Sequence, residues 1–243
     1  MDDLSTKVIL ITGASSGIGE ATARELAAKG AKLMMGARRV ERLRALASKL
    51  GEDAAWARLD VTDRQSFAAF AAGAVERFGR VDALVNNAGV MPLSPLSALL
   101  VDQWDWMIDV NIRGVLHGIA EMLPRFQAQG GGHFVNVASI GAHRVVPTAA
   151  VYCATKYAVW AITDGIRQEH DNIRATVVSP GPTESELADT ITDPVAQEGV
   201  AAFRAAGMVG ADAIARAIRF ALEQPTDVDV NEIVVRPTVS NVM

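Results

Sequence analysis

Tyr152 and Lys156 stand four residues apart in a stretch that the sequence predicts to be helical. Side chains at that spacing lie on one face of an α-helix. A lysine ammonium beside a phenol favours the phenolate, and so lowers the pKa of the tyrosine from its usual value near ~10. Such a tyrosine can donate or accept a proton at neutral pH. The pair therefore indicates general acid–base chemistry. The alternative, which is commoner for this spacing, is a tyrosine that packs in the core and has no catalytic role.

A glycine-rich turn at residues 12–19 follows the first apolar run of the chain. Glycine allows the backbone to approach a ligand closely, and the N-terminus of the following helix offers unpaired N–H groups to a pyrophosphate. The glycines are spaced GxxxGxG, which departs from the commonest dinucleotide fingerprint, GxGxxG. A turn that only packs a strand on a helix is the alternative. The predicted dinucleotide contacts are Gly13, Ser15, Ser16, Gly17, Ile18 and Gly19.

The end of the second predicted strand carries Arg38 and Arg39 and no acid. An Asp or Glu at this place binds the ribose 2′-hydroxyl of NAD, whereas an arginine accommodates the 2′-phosphate of NADP. A planar guanidinium pairs well with phosphate oxygens. The sequence therefore favours NADP(H). The alternative is that the arginines are only solvated at the start of a helix, and for Arg39 both interpretations stay open.

Seven short runs rich in apolar and β-branched residues alternate with helical patterns such as 18–29 and 40–50. Apolar strands between amphipathic helices predict an α/β fold with a doubly wound parallel sheet covered by helices on both faces. Such sheets bind ligands beyond the carboxyl ends of their strands, where the motifs above lie. The predicted strands are residues 7–12, 31–37, 54–59, 83–86, 133–138, 174–179 and 232–235.

The composition favours a cytoplasmic globular protein with a single domain over residues 1–243. Half of the 243 residues are apolar and the net charge is −5, with both signs scattered along the chain. The chain has no basic cluster of the kind that binds nucleic acid, so no nucleic-acid partner is expected. No apolar run reaches the ~20 residues of a membrane span. The chain starts with two acids rather than a secretory signal. One cysteine and four histidines without ligand spacing predict neither a disulfide nor a metal site.

Four further signals lie after or between successive predicted strands. Residues 86–89 read Asn-Asn-Ala-Gly, Asn111 lies within a long predicted helix, Ser139 ends the fifth strand, and residues 180–181 are Pro-Gly. Together with the glycine-rich turn and the Tyr-x-x-x-Lys pair, they resemble the short-chain dehydrogenase/reductase family over residues 7–236. Residues 37–43, 87–91 and 232–237 are similar to the clavulanate dehydrogenase branch and to NADP-dependent 3-hydroxy acid (serine) dehydrogenases. The resemblance implies a Rossmann-type fold, NADP(H) and a homotetramer or homodimer.

The resemblance also implies a role for each motif residue. Tyr152 is expected to protonate a carbonyl oxygen as hydride arrives, and Lys156 to lower the pKa of Tyr152 and bind the nicotinamide ribose. Ser139 is expected to bind the substrate oxygen, and Asn111 to anchor a water that links Lys156 to solvent. The family pattern PGxVxT is changed, since Thr183 replaces the aliphatic residue and Ser185 the threonine. Further expected cofactor contacts are Asp60, Val61, Asn87, Ala88, Gly89, Pro180, Gly181, Pro182, Thr183 and Ser185.

These observations predict an NADPH-dependent carbonyl reductase or alcohol dehydrogenase that acts reversibly on a ketone, aldehyde or secondary alcohol. The alternatives are an NAD-linked alcohol, polyol or 3-hydroxy acid dehydrogenase and a non-enzymatic nucleotide-binding regulator. We expect residues 91–96, 140–147 and 184–208 to determine the substrate, with 184–208 as a lid. His143 follows Ser139 closely, so a substrate contact is one interpretation of it. Cys153 is expected to be a packing residue.

Overall fold

Seven parallel strands form one sheet in a computed structural model, which describes residues 2–239. Every neighbouring pair of strands is parallel. The predicted fold class is confirmed, because helices cover both faces of this sheet. The strands are β1 (Val8–Thr12), β2 (Lys32–Ala37), β3 (Ala54–Arg58), β4 (Ala83–Asn86), β5 (Gly132–Val137), β6 (Ile173–Pro180) and β7 (Glu232–Val235). Their spatial order is β3-β2-β1-β4-β5-β6-β7.

The helices divide between the two faces of the sheet. Alternate residues of a strand point to opposite faces, so Leu10 packs in one hydrophobic core and Ile9 in the other. Phe67 and Phe126 lie in the first core, and Leu26 in the second. The helices are α1 (Gly17–Ala27), α2 (Val40–Leu50), α3 (Arg64–Phe78), α4 (Val101–Ile108), α5 (Gly114–Ala128), α6 (Ala150–Glu169), α7 (Pro194–Ala205) and α8 (Ala211–Leu222). The first core lies under α3, α5 and α6, and the second under α1, α2 and α8.

The strand order reverses beside β1, which pairs with β2 on one side and β4 on the other. In an open α/β sheet this switch opens a crevice at the carboxyl ends of the strands. The glycine-rich turn follows β1, Arg38 follows β2 and Asn87 follows β4. The topology therefore brings motifs that are far apart in sequence to one edge of the sheet.

The long helix predicted around Asn111 is interrupted. Residues Asp109–Arg113 form a π-helical turn between α4 and α5. An extra residue per turn disturbs the regular hydrogen-bond ladder, and such turns occur frequently at functional sites. The side chain of Asn111 is buried there and bonds the main chain of Val90. The sequence-based expectation of a regular helix was wrong at this turn, because a tertiary contact overrides local helix propensity.

Within residues 2–239, no helix combines the length and apolarity that crossing a bilayer requires. The same residues contain no group of three or more His, Cys, Asp or Glu side chains placed to hold a metal ion.

Candidate active site

A cleft of about 930 Å³ lies over the carboxyl ends of the strands. It gathers nearly every residue that the sequence predicts to be catalytic or to bind the cofactor; among these, Gly19 and Asn111 are the two that do not line its wall. The predicted residues along the wall are Gly13, Ser15, Ser16, Gly17, Ile18, Arg38, Arg39, Asp60, Val61, Asn87, Ala88, Gly89, Ser139, Tyr152, Lys156, Pro180, Gly181, Pro182, Thr183 and Ser185.

The backbone of the glycine-rich turn requires glycine at three positions. Gly13 and Gly17 have φ of 68° and 54°, in the left-handed region that disfavours a side chain. A Cβ on Gly19 would lie 2.4 Å from the carbonyl oxygen of Gly13. The N-cap residue Ser16 makes no side-chain capping bond, so the first N–H groups of α1 lack a side-chain partner there. This arrangement fits the pyrophosphate of a dinucleotide, which helix N-termini bind through their N–H groups and dipole.

Thr12 and Asn87 join the turn after β1 to the turn after β4. The Thr12 hydroxyl accepts the N–H groups of Asn87 and Ala88, both at 3.0 Å. The Asn87 amide nitrogen donates to the Thr12 carbonyl at 2.9 Å. Asn87 thus lines the cleft and also holds the glycine-rich turn in place. The structural part played by Thr12 was not predicted, because a threonine at a strand end is an ordinary signal.

The phenol of Tyr152, the hydroxyl of Ser139 and the ammonium of Lys156 lie together in the cleft. Tyr152 and Lys156 are only 7% and 6% exposed. The Lys156 nitrogen lies 5.7 Å from the centre of the Tyr152 ring and donates to the carbonyl of Val137 at 3.0 Å. The Ser139 hydroxyl accepts the N–H of Gly141 at 3.0 Å, which fixes its position.

Burial governs the protonation of this cluster. It raises the pKa of Tyr152 to about 12, although a hydrogen bond with Ser139 acts in the opposite direction. It lowers the pKa of Lys156 to about 8. The expectation that the lysine charge brings the tyrosine pKa towards neutrality is wrong for this structure, because loss of water disfavours the charged form of both groups. The phenol is therefore protonated at neutral pH, as a proton donor must be.

Both the oxygen and the nitrogen of the Asn111 side-chain amide are hydrogen-bonded. Its oxygen accepts the N–H of Val90 at 2.9 Å, and its nitrogen donates to the Val90 carbonyl and to the Thr155 hydroxyl, both at 3.0 Å. A Cβ on Gly89 would lie 3.4 Å from the Asn111 oxygen and 3.7 Å from the Lys156 nitrogen. Asn111 thus supports the wall beside Lys156.

Arg38 and Asp60 lie at the other end of the cleft, near the ends of β2 and β3. Arg38 is exposed and lines the cleft. Burial acts to raise the pKa of Asp60, but hydrogen bonds from Thr62 and the charge of Arg38 lower it overall. One Asp60 oxygen accepts the Thr62 N–H at 3.1 Å and hydroxyl at 2.8 Å.

Arg39 makes contacts that the sequence did not predict. Its guanidinium bonds the hydroxyls of Ser15 at 3.2 Å and Ser16 at 2.6 Å, and it pairs with Glu186 at 2.6 Å. Arg42 pairs with the other oxygen of Glu186, also at 2.6 Å. Hydrogen bonds from Arg42 and Arg39 lower the pKa of Glu186 to about 2. No local signal could have found these pairs, because Glu186 lies 147 residues beyond Arg39.

The segment predicted as a lid, residues 184–208, contains α7 and a short 3₁₀ turn at Glu186–Thr190. Its two ends meet in a parallel bridge between Thr183 and Val209. The N–H of Glu184 donates to the Val209 carbonyl at 3.0 Å, and the N–H of Val209 to the Pro182 carbonyl at 2.9 Å. Hydrogen bonds therefore join the two ends of the segment at its base.

His143 lies outside the wall of the cleft. Its Nε2 is 2.8 Å from a Glu232 oxygen and 3.3 Å from the Ser179 hydroxyl. The interpretation of His143 as a substrate contact is therefore wrong for this structure, and the residue ties its loop to β6 and β7. Cys153 is buried, as expected of a packing residue, and its side chain also reaches the wall of the cleft. Trp106 lines the cleft as well.

A family model described as short chain dehydrogenase matches residues 7–196. The chain belongs to this family. This short-chain dehydrogenase is 46% identical over 243 residues to an uncharacterized oxidoreductase of Staphylococcus saprophyticus, covering 98% of each chain. The resemblance noted from the sequence motifs is thereby confirmed at the level of the family.

Solved structures share the fold of this short-chain dehydrogenase over nearly its full length. An alcohol dehydrogenase from the archaeon Thermococcus sibiricus, complexed with 5-hydroxy-NADP, has a TM-score of 0.86 at 33% identity, covering 98% of this chain and 99% of that one. A serine dehydrogenase complexed with NADP+ has a TM-score of 0.89 at 27% identity and 96% coverage of both chains. A member from Burkholderia phymatum, in complex with NAD, has a TM-score of 0.87 at 26% identity, covering 96% and 90%. Structures similar to this one thus hold either nicotinamide cofactor.

Proposed function

We propose that this short-chain dehydrogenase is an NADPH-dependent carbonyl reductase that also runs in the direction of alcohol oxidation. The observation that carries the proposal is the buried phenol of Tyr152 beside Ser139, where burial raises the pKa of Tyr152 and favours the protonated form. Both lie in the same cleft as the glycine-rich turn and Arg38. A proton donor and a dinucleotide-binding turn in one cleft are what reduction of a carbonyl group requires.

The cleft offers a partner for each part of NADP(H), which supplies the hydride when bound. The first turn of α1 binds the pyrophosphate and Arg38 the 2′-phosphate, while Lys156 binds the nicotinamide ribose. Asp60 and Val61 lie where adenine is expected, Asn87, Ala88 and Gly89 line the trough, and Pro180, Gly181, Pro182, Thr183 and Ser185 meet the carboxamide. The glycines, the uncapped helix N-terminus and the exposed guanidinium support this assignment.

The reacting carbonyl is held and protonated by side chains of this chain. Ser139 donates a hydrogen bond to the carbonyl oxygen and orients it, and Tyr152 donates the proton as negative charge develops there. Donors that are fixed before the reaction stabilise this charge strongly in a site shielded from water. Lys156 stays close to the phenol, and the main chain of Asn111 holds the water through which a proton is resupplied.

An NAD-linked alcohol or 3-hydroxy acid dehydrogenase is the second candidate. The pairing of Arg39 with Glu186 favours NAD(H), because Glu186 neutralises one of the two adjacent arginines that could bind a 2′-phosphate. Arg38 favours NADP(H), since it lines the cleft and makes no ion pair within residues 2–239. We therefore keep NADP(H) as the proposed cofactor.

A panel of ketones, aldehydes and secondary alcohols, assayed with NADPH and with NADH by nicotinamide absorbance, tests this function. Arg38→Gln should weaken NADPH binding by about 10- to 100-fold, since hydrogen bonds to charged groups contribute about 1.5–3 kcal/mol. NADH binding should not change. Arg64→Gln, an exposed arginine on α3 outside the cleft, is the control. Equal efficiency with NADH, or no effect of Arg38→Gln, would overturn the cofactor assignment.

The substrate side of the cleft is mainly apolar, with Met91, Leu93 and Phe203 among its residues. We propose a partly apolar, unphosphorylated substrate of medium size, with residues 184–208 closing over it as a lid. Removal of α7 by replacing residues 194–205 with a short Gly-Ser linker should raise KM for such substrates and leave NADPH affinity within about threefold. An unchanged KM would contradict a lid function.

The surface supports an oligomer. Tyr157 and Trp160 on α6, Leu116 on α5 and Phe220 on α8 are large apolar side chains exposed to solvent. We propose a homotetramer, or a homodimer, that covers these faces, in a cytoplasmic protein whose only cysteine is unpaired. Light scattering coupled to size exclusion measures the assembly, and a monomer at micromolar concentration would contradict it.

A further inference from the structure

Glu186 connects the lid segment to the nucleotide end of the cleft. One of its carboxylate oxygens pairs with Arg39 and the other with Arg42, each at 2.6 Å. The carboxylate comes from the first turn of residues 184–208, whereas both arginines follow β2. Glu186 is therefore a negative charge on the lid segment, held by two guanidinium groups beside the cleft.

The same contact involves the glycine-rich turn. The remaining nitrogens of Arg39 bond the hydroxyls of Ser15 and Ser16. A Cβ placed on Gly17 would lie 3.2 Å from the Cβ of Ser185, the residue before Glu186. Ser185 and Glu186 thus lie over the turn assigned above to the cofactor phosphates. The bridge between Thr183 and Val209 ties the base of the lid segment directly beside these two residues.

We propose that Glu186 is a tethered competitor for the 2′-phosphate of NADP(H). This inference rests on the proposed function, since it assumes a 2′-phosphorylated cofactor in the cleft. A carboxylate and a phosphate seek the same guanidinium groups, and planar bidentate pairing suits both. Two anions that share one arginine pair also repel each other.

The consequence differs between the two cofactors. A 2′-phosphate that reaches Arg39 displaces Glu186 from this guanidinium. NAD(H) carries no 2′-phosphate, so the pairs of Glu186 with Arg39 and Arg42 stay formed. Glu186 therefore reduces the preference of the protein for NADP(H). The remaining attraction for the 2′-phosphate comes from Arg38, which lines the cleft and makes no ion pair within the described residues.

The side chains of this cluster are 43–50% exposed. Exposed ion pairs contribute little individually, so the change expected from removing the charge is moderate. Glu186→Gln should strengthen NADPH binding by about three- to tenfold and change NADH binding by less than about twofold. Glu184→Gln is a matched control, because Glu184 is an exposed lid residue of the same charge that makes no contact with the arginines.

Equilibrium binding to the full chain tests the inference without turnover. NADPH and NADH are titrated by nicotinamide fluorescence, and 2′,5′-ADP and 5′-AMP by calorimetry, against the wild type, Glu186→Gln and Glu184→Gln. The inference expects only Glu186→Gln to tighten NADPH and 2′,5′-ADP selectively. An unchanged or smaller ratio of NADPH to NADH affinity in Glu186→Gln overturns it, and a smaller ratio would mean that Glu186 secures the bound cofactor.

The same titrations separate this inference from the proposed function. A wild-type protein that binds NADPH no better than NADH, together with no effect of Arg38→Gln, contradicts the proposed cofactor. A wild-type protein that prefers NADPH, combined with an unaltered preference in Glu186→Gln, contradicts only the competition by Glu186.

Discussion

Replacing Lys156 with methionine should stabilise the fold while it abolishes activity. The ammonium is 6% exposed, and burial lowers its pKa from 10.5 to about 8. A tenfold change in proton affinity corresponds to about 1.4 kcal/mol, so at pH 7 the buried charge costs the folded state about 3 kcal/mol. The bond from its nitrogen to the Val137 carbonyl offsets about 1 kcal/mol of this. Methionine has a similar length and no charge, and should raise the unfolding free energy by about 2 kcal/mol.

The pH dependence gives this prediction a definite sign. The pKa of Lys156 is lower in the folded state, so between pH 8 and 10.5 the unfolded chain binds more protons and the wild-type protein gains stability as pH rises. The advantage of Lys156→Met should therefore be largest at pH 7 and should shrink by pH 10.

Urea unfolding of both proteins at one protein concentration, at pH 7 and at pH 9.5, measures the effect. The melting temperature at pH 7 should rise by about 4–8 °C for a chain of this size. Lys49→Met, which alters an exposed lysine of α2, should change stability by less than about 0.5 kcal/mol. A less stable Lys156→Met protein, or an advantage that does not decline with pH, would refute the burial cost assigned to this lysine.

Three further substitutions test the packing that positions the site, each by chemical denaturation. Gly19→Ala should destabilise the protein by about 1–3 kcal/mol and weaken dinucleotide binding, because the new methyl would meet the Gly13 carbonyl at 2.4 Å. Gly165→Ala, within α6 and with nothing near its Cβ, should instead stabilise by up to about 1 kcal/mol, and a loss would contradict the space seen there. Asn136→Ala should cost about 2–3 kcal/mol, because it breaks a buried chain of hydrogen bonds that reaches Thr163; unchanged stability would show that water replaces the amide.

The strands and the glycine-rich turn were predictable from sequence, because their signals are local. The strand predicted at residues 31–37 is observed at Lys32–Ala37, and the one at 83–86 is observed as Ala83–Asn86. Each element carries its own apolar pattern and turn residues, so no distant contact is needed to recognise it. Helix α1 ends at Ala27, two residues before the predicted end at 29, because Gly30 takes a φ of 79° in the turn that leads to β2.

The electrostatics of the site could not be predicted from spacing. The four-residue interval places Tyr152 and Lys156 on one face of α6, but it says nothing about how deeply α6 is buried. Burial decides the result, since it raises the pKa of the phenol and lowers that of the ammonium. The pairing of Glu186 with Arg39 escaped prediction for a related reason, because only the folded sheet brings the end of β2 close to the segment after β6.

The most direct test of the central claim is single-turnover reduction of a ketone by NADPH with Tyr152→Phe. Loss of the proton donor should slow hydride transfer by about 10²- to 10⁴-fold and leave the NADPH dissociation constant unchanged. Tyr157→Phe is the natural control, because Tyr157 is the only other tyrosine and lies outside the cleft. It should react at the wild-type rate. A folded Tyr152→Phe protein that binds NADPH and reduces the ketone as fast as the wild type would contradict the role of Tyr152 as the acid.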